Sequence, residues 1–173
     1  MATAAATTPS LAPDRAWIVE QFSKGIDAEA GMAAEAKARA EAPPEPDLAC
    51  LYHEIAAADD RHRSMVEAIA VRYGHNPSKS AGGGIGSTLG HLKGKLAEMG
   101  SGPMDRLAHD LSAKANSVHW SAAWVVAFAA IGDADSAREL AAVLAEERTH
   151  LEALQQGLNR MVTRGASGAD AAG

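Results

Sequence analysis

Glu146-Glu147-Arg148-Thr149-His150 is the stretch on which the reading of this chain turns. Glu147 and His150 form a Glu-x-x-His pair. On a helix, at roughly 100° per residue, they sit about 60° apart, so both side chains reach toward one point. Leu140, Val143, Leu144, Leu151, Leu154 and Leu158 recur at helical spacing and lie on the same side. An acid and an imidazole are therefore aimed into a core. A buried ionised carboxylate is costly unless it is paired, hydrogen-bonded or bound to a metal. The rest of the chain has to supply what meets them.

The helix that carries this pair starts at Gly132-Asp133, with Asp133 as its N-cap, and is expected to run to about Val162. Before it, Pro103 to Ile131 is a second long helix with a stripe of Leu107, Leu111, Val118, Val125 and Phe128. Trp120 and Trp124 widen that stripe beyond a single seam. Two explanations stay open: packing against a crossover segment, or a subunit interface that makes the chain a homodimer. Lys114, Ser117 and Ser121 also face inward on the helical wheel, whereas His119 points away and is expected at the surface.

In the N-terminal half, Pro13-Asp14 opens a helix that Pro43-Pro44-Glu45-Pro46 stops just after Glu41. Trp17, Ile18, Phe22, Ile26, Met32, Ala33 and Ala36 form its apolar stripe, with Glu29 at the centre. Asp27 and Glu35 fall outside the stripe and are expected in water. The next helix spans about Asp47 to Tyr73, with Gly74 as its C-cap. Leu48, Leu51, Tyr52, Ile55, Val66, Ile69 and Ala70 form its buried face, and Asp59 and His62 sit on that face as an Asp-x-x-His pair. His53 and Asp60 point away.

Between the halves, Asn76-Pro77 begins a long connection containing Gly82-Gly83-Gly84-Ile85-Gly86. No strand precedes it, and neither the Walker A pattern nor the full dinucleotide fingerprint is present, so it is set aside as a phosphate loop. A short crossover helix is expected at about 87–98, docking through Leu89, Leu92, Leu96 and Met99.

Composition agrees with one helical domain. The chain has 173 residues, is rich in alanine and has long stretches without proline. Net charge is −6 with both signs interspersed, which argues against a nucleic-acid surface. Cys50 is the only cysteine, which rules out an intrachain disulfide or a cysteine metal knuckle and is compatible with a cytoplasmic setting. No apolar run is long enough to cross a bilayer, so no membrane partner is expected. Residues 1–12 and 164–173 are expected to be disordered tails.

A shift of 88 residues takes Asp59 to Glu147, His62 to His150 and Glu29 to Ser117. Each half thus offers a helix followed by an acid-x-x-His helix. The predicted fold is all-α: a four-helix bundle with a long crossover between the second and third helices. Glu29, Asp59, His62, Glu147 and His150 all lie near their helix midpoints and would meet in one layer.

This arrangement resembles the ferritin-like di-iron carboxylate superfamily, and most of all the small bacterial stress-associated four-helix bundles. The resemblance covers residues 14 to 162. It implies a metal site of iron, manganese or zinc, one or two ions, held by Glu29, Asp59, His62, Glu147 and His150. It further implies oxidase, peroxide-detoxifying or iron-handling activity. Asp59 stands where the family uses Glu, and the third helix lacks its carboxylate, with Ser117 at that place. In the metal reading this leaves an open coordination position, and Tyr52 is either a redox neighbour or an ordinary core tyrosine. In the metal-free reading, Lys114 pairs with Glu29 or Glu147, and the layer sets helix register in a structural or interaction module.

Overall fold

Proline and glycine punctuate the chain where the helices break. The computed structural model describes residues 15–77 and 102–170, and for 166–170 the backbone alone. Among the described residues it is all-helical. Helix α1, Arg15–Glu41, ends just before Pro43-Pro44. A 3-10 turn at Pro46–Leu48 leads into α2, Ala49–Arg72. Helix α3, Pro103–Ala130, starts with proline in its first turn, where the missing N–H costs nothing. Helix α4 is Ala134–Asp170.

Both tight ends are closed by glycine. Gly74 has φ of +102° and Gly132 of +81°, in the left-handed region that favours glycine. His75 N–H donates to Ala70 C=O, and Asp133 N–H donates to Phe128 C=O, each at 3.0 Å. These bonds close the terminal turn in the Schellman manner. Asp133 then caps α4 as expected. Its Oδ1 accepts the Ser136 N–H at 3.0 Å, and its Oδ2 accepts the Ser136 hydroxyl at 2.6 Å and the Tyr73 hydroxyl at 2.8 Å.

The four helices pack as two antiparallel hairpins, α1 with α2 and α3 with α4, joined chiefly along α2 and α4. Two apolar clusters fill the interior. One holds Ala36, Leu48, Tyr52, Ile55, Leu107 and Leu154, near the proline turn. The other holds Ile18, Phe22, Ile69, Phe128 and Leu140, at the glycine-capped end. The expected stripes are seen with two changes. Trp124 packs edge-on against Phe22 with centroids 4.5 Å apart, so it belongs to the second core rather than to an outer face. On α3, Ser117 and Ser121 are buried where Val118 and Val125 are only half-buried.

Helix α4 continues to Asp170 rather than ending near Val162. No proline follows Val162, Gly165 keeps a helical φ, and Arg164 is tied to Glu45 of the α1–α2 connection at 2.6 Å. The expected crossover helix at 87–98 and the glycine-rich segment before it lie outside the described residues, as do residues 1–14. Among the described residues no helix is long and apolar enough to cross a membrane.

Replacing Asp133 with alanine removes the α4 cap and the Tyr73 bond together. We expect a loss of about 1–2 kcal/mol in urea denaturation, with α4 still formed.

Candidate functional site

Between the two apolar clusters lies a charged layer to which all four helices contribute. Glu29 of α1, Asp59 and His62 of α2, Lys114 of α3 and Glu147 of α4 are all buried. Each of Glu29, Asp59, His62 and Glu147 offers a donor atom, and these atoms lie within 4.8 Å of one another. All four residues of the two acid-x-x-His pairs are buried, and three of them, Asp59, His62 and Glu147, converge. His150 is buried one turn further along α4, outside that set, and its Nδ1 has no partner.

Lys114 is the cation of the layer. Its Nζ donates to Asp59 Oδ1 at 2.5 Å and to Glu147 Oε1 and Oε2 at 2.9 and 3.1 Å. It stands between carboxylates from two different helices, three residues before the position where the repeat puts Ser117. His62 is held from both sides: Nδ1 lies 3.0 Å from Glu147 Oε1, and Nε2 lies 3.2 Å from Glu146 Oε2. Two acceptors on one imidazole call for two N–H donors, the protonated form.

The electrostatics follow from burial and these contacts. Burial, then the negative charges of Glu147 and Asp59, push the Glu29 carboxyl up to about 8. Burial also raises Asp59, and Lys114 draws it part of the way back, to about 6. Burial alone would raise Glu147, but the His62 hydrogen bond and Lys114 outweigh it and hold the group at about 2. Burial alone would lower His62, but its bond to Glu147 and the neighbouring charges keep it above the usual histidine range. Burial and the Lys114 charge hold His150 below that range. At neutral pH the layer is thus two cations, Lys114 and His62, against two anions, Asp59 and Glu147, beside a protonated Glu29. Those charges balance without a further ion.

The donor types suit a divalent cation of the iron, manganese or zinc kind. In this arrangement the ammonium holds three of the carboxylate oxygens, and both nitrogens of His62 face carboxylates. Two atoms stand apart from this closure, since Glu29 Oε2 and Asp59 Oδ2 are buried without partners.

A second polar layer, not expected from the sequence, lies toward the proline turn. Asp110 accepts from Arg39 Nε at 3.0 Å and from the Tyr52 hydroxyl at 2.6 Å. Glu35, expected in water, is only 11 % exposed and pairs with Arg39 at 3.2 Å. Its neighbour His109 approaches within 3.5 Å. Tyr52 is thus a core tyrosine committed to Asp110. The available signal was the position of Arg39 beside Ala36 and Ala40, and of Asp110 beside Leu107 and Leu111, on the apolar stripes of their helices. A cavity of about 30 Å³, room for a water, separates the two layers and is lined by Tyr52, Asp59, Asp110 and Lys114 among others. Asp27, His53 and His119 are exposed as expected.

No protein-family model, curated protein or solved structure matches the chain significantly.

Glu29 gives this layer a pH signature. Its carboxyl is protonated in the fold and ionised in the unfolded chain above 4.5, so the stability it contributes is complete below 4.5 and is lost as pH rises to about 8. Asp59 acts in the same sense between 3.8 and about 6. Glu147 acts in the opposite sense, its contribution fading as pH falls from 4.5 toward 2. A Glu29→Gln variant should therefore flatten the decline in urea midpoint between pH 4.5 and 8. An unchanged slope would show that Glu29 is ionised in the fold.

Proposed function

We propose that this chain is a ferritin-like four-helix module whose central layer is a metal-free ion network, and that it works by binding rather than by redox chemistry. The observation that carries this reading is the position of Lys114 Nζ, 2.5 Å from Asp59 Oδ1 and 2.9 Å from Glu147 Oε1. A fixed ammonium there does electrostatically what an ion does in the di-iron proteins the chain resembles. It neutralises carboxylates converging from separate helices. It offers no open coordination position and no electron to give. The absence of a carboxylate at Ser117 goes with the same change, since a layer neutralised by an ammonium in place of divalent ions holds less positive charge and takes fewer acids.

A second reading keeps the metal. It is favoured by the unpartnered Glu29 Oε2 and Asp59 Oδ2 and by the 4.8 Å convergence of four donors. In it, Glu29, Asp59, His62 and Glu147 hold one iron, manganese or zinc ion, with His150 the nearest further donor. A bound iron would supply dioxygen or peroxide reduction. This reading requires Lys114 to leave the layer and His62 to lose a proton.

The two readings separate on untagged protein analysed for metals and then given ferrous iron in air. We expect no stoichiometric metal and no ferroxidase signal. In a Lys114→Ala variant, Asp59 and Glu147 lose their shared cation. Stability at pH 7 should fall by about 3–5 kcal/mol, and added Mn²⁺ should restore part of it. One or two metals per wild-type chain, lost in Glu147→Ala, would establish the second reading instead.

A further inference from the structure

Helices α1 and α3 face each other but scarcely touch. Two struts hold them apart. At one end Phe22 meets Trp124 and Phe128, with ring centroids 4.5 and 5.4 Å apart. At the other end Arg39 is paired with Asp110 at 3.0 Å. Between the struts the facing residues are small: Gly25 and Ala28 on α1, Ala113, Ser117 and Ser121 on α3. Small residues would let two helices close on each other, but the struts fix the spacing and keep the helices apart.

The result is a cavity of about 490 Å³, within the range of small-molecule sites. It reaches into the core of the bundle, to Val66 of α2 and Leu140 and Val143 of α4. Trp120 and Trp124 form part of its aromatic wall, and Trp120 is 60 % exposed. Its polar lining includes Gln21, Lys24 and Asn116 as well as three buried residues, Glu29, Ser117 and Ser121. Glu29 lines it, is only 7 % exposed and has an Oε2 without a partner. Ser117 and Ser121, one turn apart on α3, are buried residues that line the same cavity. A buried polar group left unpaired is costly, and the Glu29 carboxyl with two serine side chains beside it sets out the complement of a ligand.

We propose that this cavity binds a planar aromatic small molecule that packs against Trp120 and Trp124 and presents one hydrogen-bonding edge, a carbonyl or a ring nitrogen, to Glu29, Ser117 and Ser121. A second copy of the chain is the competing occupant, since the exposed Trp120 is the residue a homodimer would cover. A convex helix face would cover the mouth without filling a cavity that reaches all four helices. A pure hydrocarbon would fill the space but leave the carboxyl unpaired. The polar edge rests on the metal-free reading of the charged layer, because an ion held by Glu29 would take that carboxyl from the cavity, whereas the aromatic wall and the two serines would remain.

Two bicyclic probes of one size, quinoline and naphthalene, test this on the full chain, with tryptophan emission and calorimetry as readouts. Expected is saturable one-to-one binding of quinoline, about fivefold or more tighter than naphthalene, the value of one net hydrogen bond. Ser121→Leu fills the cavity and should abolish binding of both probes while the melting temperature stays the same or rises. Ala113→Leu is the second filling variant should the first fold poorly. Equal affinity for the two probes would remove the polar edge from the proposal. Binding unchanged in both filling variants, or no saturable binding, would overturn it. Absent probe binding with concentration-dependent dimerisation, abolished by Trp120→Ser, would assign the surface to a second copy. The titrations are run on protein whose metal content has been measured, so that a failure of this site is told apart from a failure of the metal-free reading.

Discussion

The ammonium of Lys114, shared between Asp59 of α2 and Glu147 of α4, is the interaction on which the rest of this structure depends. It joins three helices at one point, and it decides what kind of layer lies at the centre of the fold. Removing two acids and a lysine from water is expensive, and an apolar layer of equal volume would often be at least as stable. What the charged layer supplies is alignment. A slide of one helical turn, about 5.4 Å, would carry Lys114 away from Asp59 and Glu147 and leave both carboxylates bare. The apolar clusters on either side tolerate such a slide far better, because their contacts are not directional.

The same constraint shapes the neighbouring features. Glu147 stays ionised because His62 and Lys114 both face it, and Glu29, with no cation of its own, takes up a proton instead. The second layer, Arg39 with Asp110, Glu35 and Tyr52, repeats the device one step along the bundle. Together with the aromatic contacts of Phe22 it sets the distance between α1 and α3. The open cavity between those helices is therefore a consequence of two rigid supports, and Glu29 is the residue common to it and to the charged layer.

Much of this was legible in the sequence. Period-3.6 patterning fixed the helices, and the proline run, Gly74, Gly132 and Asp133 marked their ends to within a few residues. The two acid-x-x-His pairs revealed which polar residues turn inward, because their apolar neighbours recur on the same face. Lys114 was inward on the wheel, but one helix seen alone does not say whether its ammonium reaches a carboxylate on another. Glu35, Arg39 and Asp110 were missed for a related reason. Charged residues beside an apolar stripe are ordinarily solvated, and only the pairing of α1 with α3 shows that these three cover one another. His150 lies on the expected face yet outside the converged donors, since sharing a helix face does not fix a side chain's height to within a turn. The length of α4 was underestimated because helix ends are read from punctuation, and among the described residues no proline or positive-φ glycine follows Val162.

Crystals grown in the presence of Mn²⁺ and measured at the manganese absorption edge give the most direct test of the central claim. The expected result is continuous density for Lys114 reaching between Asp59 and Glu147, with no anomalous peak in the layer. An anomalous peak among Glu29, Asp59, His62 and Glu147, with the lysine swung out of the layer, would contradict it.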